Sequence, residues 1–136
     1  FASQATGASS SISQRAAEVA LKTSEIDIHK TNVMLKERLI SALQKFKEVP
    51  TFKVFEPDGA FYLWINIDKA LHKKYKETQV STSALFSQIL LEDYFVATVP
   101  GEEFGHPGYL RLSFAIDSKR FNEAIDRVKN LISVMV

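Results

Sequence analysis

Between Tyr109 and Ile116 the chain alternates strictly: Tyr109, Arg111, Ser113 and Ala115 interleave with Leu110, Leu112, Phe114 and Ile116. A side-chain period of two is the pleat of a β-strand, so one face of this strand is wholly apolar. The other face offers an arginine between a phenol and a hydroxyl. A one-residue slip would bury Arg111 and expose the leucines, so the register is pinned. The strand is preceded by a turn-rich loop carrying Gly101, Gly105, Pro107 and Gly108, residues that permit turns others resist. A guanidinium on a rigid strand beside such a loop is suited to grip a carboxylate or phosphate through two parallel hydrogen bonds. From spacing alone, the simpler reading is a solvated or salt-bridged strand arginine.

Upstream, Phe1 to Ser11 is small and hydroxylated and reads as an irregular leading segment. Ser11 stands three residues before Gln14, a capping-box spacing that predicts a helix to about Lys22. Thr23 or Ser24 is placed to cap a longer helix with Glu25 and Asp27 in its first turn. Its buried stripe is Leu35, Leu39, Leu43 and Phe46, and Pro50 is expected to end it. Phe52–Phe55 and Ala60–Ile67 flank Glu56-Pro57-Asp58-Gly59, a pattern that predicts a β-hairpin. The second arm is apolar on both faces and is expected to be covered on both sides. For Tyr62 and Trp64 on that arm, structural packing is the first reading and aromatic recognition the second. Asp68–Gln79 reads as charged and irregular, with one helical turn. Ser81 or Thr82 is expected to cap a helix ending near Asp93, with Leu85, Ile89 and Leu90 buried. Tyr94–Val99 is expected to be a short strand, and Asp117 or Ser118 to cap a final helix bearing Phe121, Ile125, Val128 and Leu131. This order predicts an α/β fold, an α+β-like two-layer sandwich with helices packed on a small, largely antiparallel sheet.

Composition narrows the function classes. A chain of 136 residues with 46% hydrophobic and 24% charged residues suits one globular domain. A net charge of +1 supplies no general field for nucleic acid or an anionic membrane, and the Lys73-Lys74-Tyr75-Lys76 cluster reads as a solvated loop. Cysteine is absent, which excludes disulfides and thiol chemistry. His29, His72 and His106 lack metal-ligand spacing. No run has the apolar length of a membrane span and no signal-peptide pattern is present, so a cytoplasmic location is favoured. A first residue that is phenylalanine rather than methionine is expected of a piece of something longer.

The loop and strand together, Pro-Gly-x-x-Phe-Gly followed by Tyr-Leu-Arg-Leu-Ser-Phe-Ala, resemble the C-terminal signature of fold-type I, pyridoxal-phosphate-dependent aminotransferases. Pro-Asp-Gly-Ala-Phe-Tyr-Leu-Trp over residues 57–64 is similar to the same family's Pro-x-Gly-Ala-Phe-Tyr-Leu segment. Ser3–Leu21, with Ser-Gln-Ala-Thr and Ser-Ile-Ser-Gln, resembles the segment after the lysine region of bacterial-type aspartate aminotransferases. The likeness implies that residues 1–136 are one C-terminal piece. Residues 1–23 would lead from a large domain, and 24–136 would form the small domain. It implies that Arg111 holds the α-carboxylate of an amino or 2-oxo acid substrate, with Tyr109 and Ser113 beside it. It implies pyridoxal 5'-phosphate as cofactor of the full-length parent and a homodimer as its assembly, with Thr6 near a neighbouring subunit's cofactor phosphate or simply in a polar loop.

Chemistry of that kind needs a lysine amine to form a Schiff base, set in the family in Ser-x-Ser-Lys. Ile116-Asp117-Ser118-Lys119 is a faint echo that lies after the arginine, where the family's order requires the lysine well before it. Lys119 therefore reads as a solvated first-turn residue. These residues alone are expected neither to hold the cofactor nor to turn over substrate. Glu102 and Glu103 are adjacent on a loop and read as solvated. Aspartate is the first substrate expectation, with aromatic, prephenate or alanine-type specificity open. A non-catalytic α/β ligand-binding or oligomerisation module is the alternative of another class.

Overall fold

The computed structural model describes residue 7 and residues 10–136; Thr6 lies outside them. The chain forms two compact units, one ending at Met34 and the other running Leu35–Val136. Helix α1, Ser11–Thr23, belongs to the first unit and buries none of its residues. Ser10, rather than the expected Ser11, is its N-cap, and it makes no side-chain capping bond. The Thr23 hydroxyl donates back to the Val19 carbonyl at 2.9 Å rather than capping the helix that follows. Helix α2, Glu25–Phe46, places Glu25 and Asp27 in its first turn, where exposed backbone N–H groups favour negative charge.

In the second unit, α2 contributes Ala42 and Phe46 to the core, with Leu35, Leu39 and Leu43 partly buried beside them. Strands β1 (Lys53–Phe55), β2 (Tyr62–Asn66), β5 (Val99–Pro100) and β6 (Tyr109–Ser113) form one sheet in the order β1-β2-β6-β5. Every pairing is antiparallel, and the registers set Phe55 opposite Trp64, Trp64 opposite Arg111 and Val99 opposite Arg111. Helix α3 (Ser83–Tyr94) and helix α4 (Ser118–Val134) complete the layer. Thr82 Oγ1 accepts from the Leu85 N–H at 3.1 Å and Asp117 Oδ1 from the Lys119 N–H at 3.0 Å, so both helices start at the expected caps.

Leu63, Ile65, Leu110 and Leu112 point to the helices and are buried together with Phe46, Phe86, Leu90, Phe121, Ile125 and Leu131. Phe46 meets Phe121, and Phe52 meets Phe86, in edge-to-face pairs at 6.0 and 5.9 Å. Each such leucine or isoleucine stabilises the fold by about 1.5–3 kcal/mol relative to exposure. Lys45 bridges Glu48 at 3.1 Å and Asp126 at 2.7 Å, and Lys129 reaches Glu48 at 2.6 Å, joining the end of α2 to α4.

Three expectations need correction. Within the second unit, helices cover one face of β2, and Tyr62, Trp64 and Asn66 are only half-buried on the other. The segment expected as a strand over Tyr94–Val99 starts as the end of α3. Phe95 then takes a left-handed backbone (φ 56°), so only Val99–Pro100 is extended and paired. Asp68–Gln79 opens with the expected helical turn, Asp68–Ala70, and then forms a small hairpin of β3 (Lys74–Tyr75) and β4 (Thr78–Gln79). Long-range partners hold that hairpin: Lys74 pairs with the Val136 backbone, and the Tyr75 hydroxyl and Lys76 ammonium both reach Asp93 Oδ2 at 2.8 Å.

Candidate functional site

The face of the sheet away from the helices carries the chemistry. The pleat that sends Leu110 and Leu112 inward sends Tyr109, Arg111 and Ser113 outward. The same alternation on β2 brings Tyr62 and Trp64 alongside. Trp64 stacks on Tyr109 at 5.4 Å with 13° between the planes, and meets Phe104 edge-on at 5.6 Å and His106 at 6.2 Å. Phe55 adds a contact to Tyr109 at 6.3 Å. A band of aromatic rings thus spans the outer face.

Arg111 sits in that band. Its Cζ lies over the Tyr62 ring at 4.3 Å and over the Phe104 ring at 4.7 Å, distances at which a cation is attracted by ring faces. Its Nε is buried without a hydrogen-bond partner. Among the described residues no carboxylate pairs with it. Ser113 is turned to its own backbone, its Oγ accepting from the Ala115 N–H at 3.2 Å. The cluster can therefore present a desolvated cation to an anion and shield that ion pair with rings.

The loop before β6 is fixed from below. Gly101 opens a short helical turn, Gly101–Phe104, at a position where a side chain has no room: a Cβ there would meet the His106 carbonyl and the Tyr109 carbonyl and Cβ. Glu102, expected to be solvated, instead reaches the start of α3, its Oε1 accepting from the Ser83 N–H at 2.9 Å and the Ala84 N–H at 3.4 Å. A carboxylate there is favoured by the helix dipole. The Ser83 hydroxyl in turn accepts from the Gly108 N–H at 2.7 Å. Gly108 has φ 82°, a conformation glycine adopts without strain. Glu103 and Lys119 are exposed. The spacing of Glu102 to Ser83 gave no local clue, since the partners are 19 residues apart.

Comparison with known proteins decides the family. The family described as aminotransferase class I and II matches residues 2–128 of this chain. The chain belongs to the class I and II aminotransferases. It is 37% identical over 134 residues to a "Probable aspartate/prephenate aminotransferase" of Rickettsia prowazekii (strain Madrid E), covering 98% of this chain and 34% of that protein. It is 36% identical over 128 residues to an "Asparagine--oxo-acid transaminase" of Streptococcus mutans serotype c, covering 93% of this chain and 31% of that protein. The crystal structure of the aspartate aminotransferase from Rhizobium meliloti superposes with a TM-score of 0.91 at 30% identity, over 98% of this chain and 34% of that one. The chain thus spans about a third of the length of these relatives.

Class I aminotransferases use pyridoxal 5'-phosphate. The outer-face cluster consists of rings, an imidazole and a guanidinium, and at its edge the Lys53 amine lies over the Phe55 ring at 4.9 Å. Its guanidinium has the fork geometry that pairs with a carboxylate or a phosphate.

Proposed function

We propose that this chain is the C-terminal piece of a pyridoxal-phosphate-dependent aminotransferase, with residues 24–136 as its small domain and residues 1–23 leading into it. The full-length protein would exchange the amino group of an amino acid for the oxygen of a 2-oxo acid, acting as a homodimer. Arg111 is the residue this chain brings to the reaction: it binds the substrate's α-carboxylate through two parallel N–H···O bonds and so fixes the orientation of the reacting carbon. The cofactor and its lysine would come from polypeptide outside this chain.

One observation carries the reading. Arg111 is a cation on the outer face, with ring faces against it and, among the described residues, no acid to neutralise it. A charge is seldom kept partly desolvated without a partner, because the cost is high; an incoming carboxylate supplies one. Aspartate is the leading substrate, in line with the names carried by the relatives, and prephenate is second. In the full-length protein Arg111→Leu is expected to lower kcat/KM, while Arg111→Lys recovers only part of it because an ammonium lacks the planar fork. Unchanged kcat/KM in Arg111→Leu would remove the carboxylate role.

A further inference from the structure

Tyr62 and Phe104 both face Arg111, and among the described residues the two rings do not touch each other. They reach the guanidinium from different elements. Tyr62 comes from the neighbouring strand, diagonal to Arg111 because Trp64 takes the directly opposed position. Phe104 comes from the loop, as the last residue of the Gly101–Phe104 turn. That turn has little freedom to drift. Gly105 closes it by donating its N–H to the Glu102 and Gly101 carbonyls, Glu102 is anchored on α3, and Trp64 packs edge-on against Phe104.

All the donors of a guanidinium lie in its plane, so rings that cover its faces block no hydrogen bond. They do restrict what can approach. A carboxylate is flat and lies in the same plane as the N–H fork. A phosphonate or sulfonate must carry an oxygen out of that plane, toward the electron-rich face of a ring.

We propose that Tyr62 and Phe104 are positioning residues that fix the plane of the Arg111 guanidinium and make the site selective for flat carboxylates over tetrahedral anions. The inference rests on Arg111 being the carboxylate-binding group. Phe104 also links selectivity to the loop, because its place is set by Glu102 and Ser83 rather than by the strand.

The test uses the full-length enzyme. The probes are the amino acid giving the highest kcat/KM among the protein amino acids, and the same molecule with a phosphonate in place of its α-carboxylate. Phe104→Leu is expected to raise KM for the amino acid by about tenfold, the scale of a desolvated cation–π contact, with kcat changed less than about twofold. The preference for carboxylate over phosphonate should shrink in the same variant, and Phe104→Tyr should restore both. Tyr62→Leu, from the neighbouring strand, should shift the same preference. A preference unmoved in both leucine variants, with or without a drop in Tm, would overturn the clamp, while a large loss in Arg111→Leu would leave the carboxylate role standing. No effect of Arg111→Leu would remove both.

Discussion

Leu110 and Arg111 are neighbours in the chain and sit on opposite faces of one sheet. Leu110 is fully buried among helices that this chain supplies, so its environment is complete. Arg111 lies among rings on the face away from the helices of the second unit, and its buried Nε has no partner among the described residues. The inner face is settled by apolar area alone. The outer face combines a cation, stacked aromatics and a pinned loop, and under the proposal an anion supplies the partner that the cation lacks. Adjacent residues thus differ: one holds the fold, and the other is the group proposed to take a ligand.

The comparison predicts opposite readouts. Leu110→Ala should destabilise the protein by about 2–5 kcal/mol, the usual cost of a cavity at a buried leucine, measured by denaturant unfolding. Arg111→Leu should cost about 2–4 kcal/mol in kcat/KM, as for a lost charge-assisted pair. Its stability should change by less than about 1 kcal/mol, because the substitution also removes a buried donor that has no acceptor. Equal stability losses at the two positions would break the distinction between the faces.

The loop sharpens the comparison, since it belongs to both sides. Gly101→Ala forces a Cβ against the His106 carbonyl and the Tyr109 backbone, neither of which is a flexible side-chain end. About 1–3 kcal/mol of stability should be lost, together with substrate affinity, because the Gly101–Phe104 turn carries Phe104. Glu102→Ala should cost less, about 0.5–2 kcal/mol, as for the loss of a helix N-terminal acceptor. A Glu102→Ala protein with wild-type stability would show that the bonds to Ser83 and Ala84 do not anchor the loop.

Much of the inner face was legible from sequence, for physical reasons. Alternation over Tyr109–Phe114 fixes which residues point inward, and the caps at Thr82 and Asp117 act within three residues of their targets. What escaped depends on contacts distant in sequence. Glu102 looked solvated because nothing beside it shows that Ser83 folds over it. The hairpin at β3 and β4 has two-residue strands too short to show a period, and its partners are Val136 and Asp93. The half-open face of β2 escaped for a different reason. An apolar strand states that it wants two covers, but not whether the same chain provides both. Arg111 was singled out by its place between glycine loop and apolar alternation. Its contacts with Tyr62 and Phe104 became visible only with the fold.

The smallest effect lies on neither face and serves as their control. The Tyr75 hydroxyl donates to Asp93, and Lys76 shares the same carboxylate oxygen. The hydrogen bond to Asp93 is the chief reason that the Tyr75 phenol is pushed up to about 12 from its usual 10.0. A folded-state value above the unfolded one means that the bond contributes its full stability below pH 10.0 and loses it as pH rises through about 12. Asp93 moves the other way. Lys76 first, and Tyr75 second, hold its carboxyl below the ordinary 3.8, so its contribution is present above that value and fades as pH falls through the lowered one. Other tyrosines and lysines titrate in alkali too, so the informative quantity is the difference between wild type and Tyr75→Phe. That difference should be constant through neutral pH and shrink between about pH 10 and 12, with kcat/KM unaffected because the hairpin is remote in sequence and contact from Arg111. A difference that persists unchanged above pH 12 would show that Tyr75 stabilises the hairpin by packing on Tyr94, its ring neighbour at 6.1 Å, rather than through its hydroxyl.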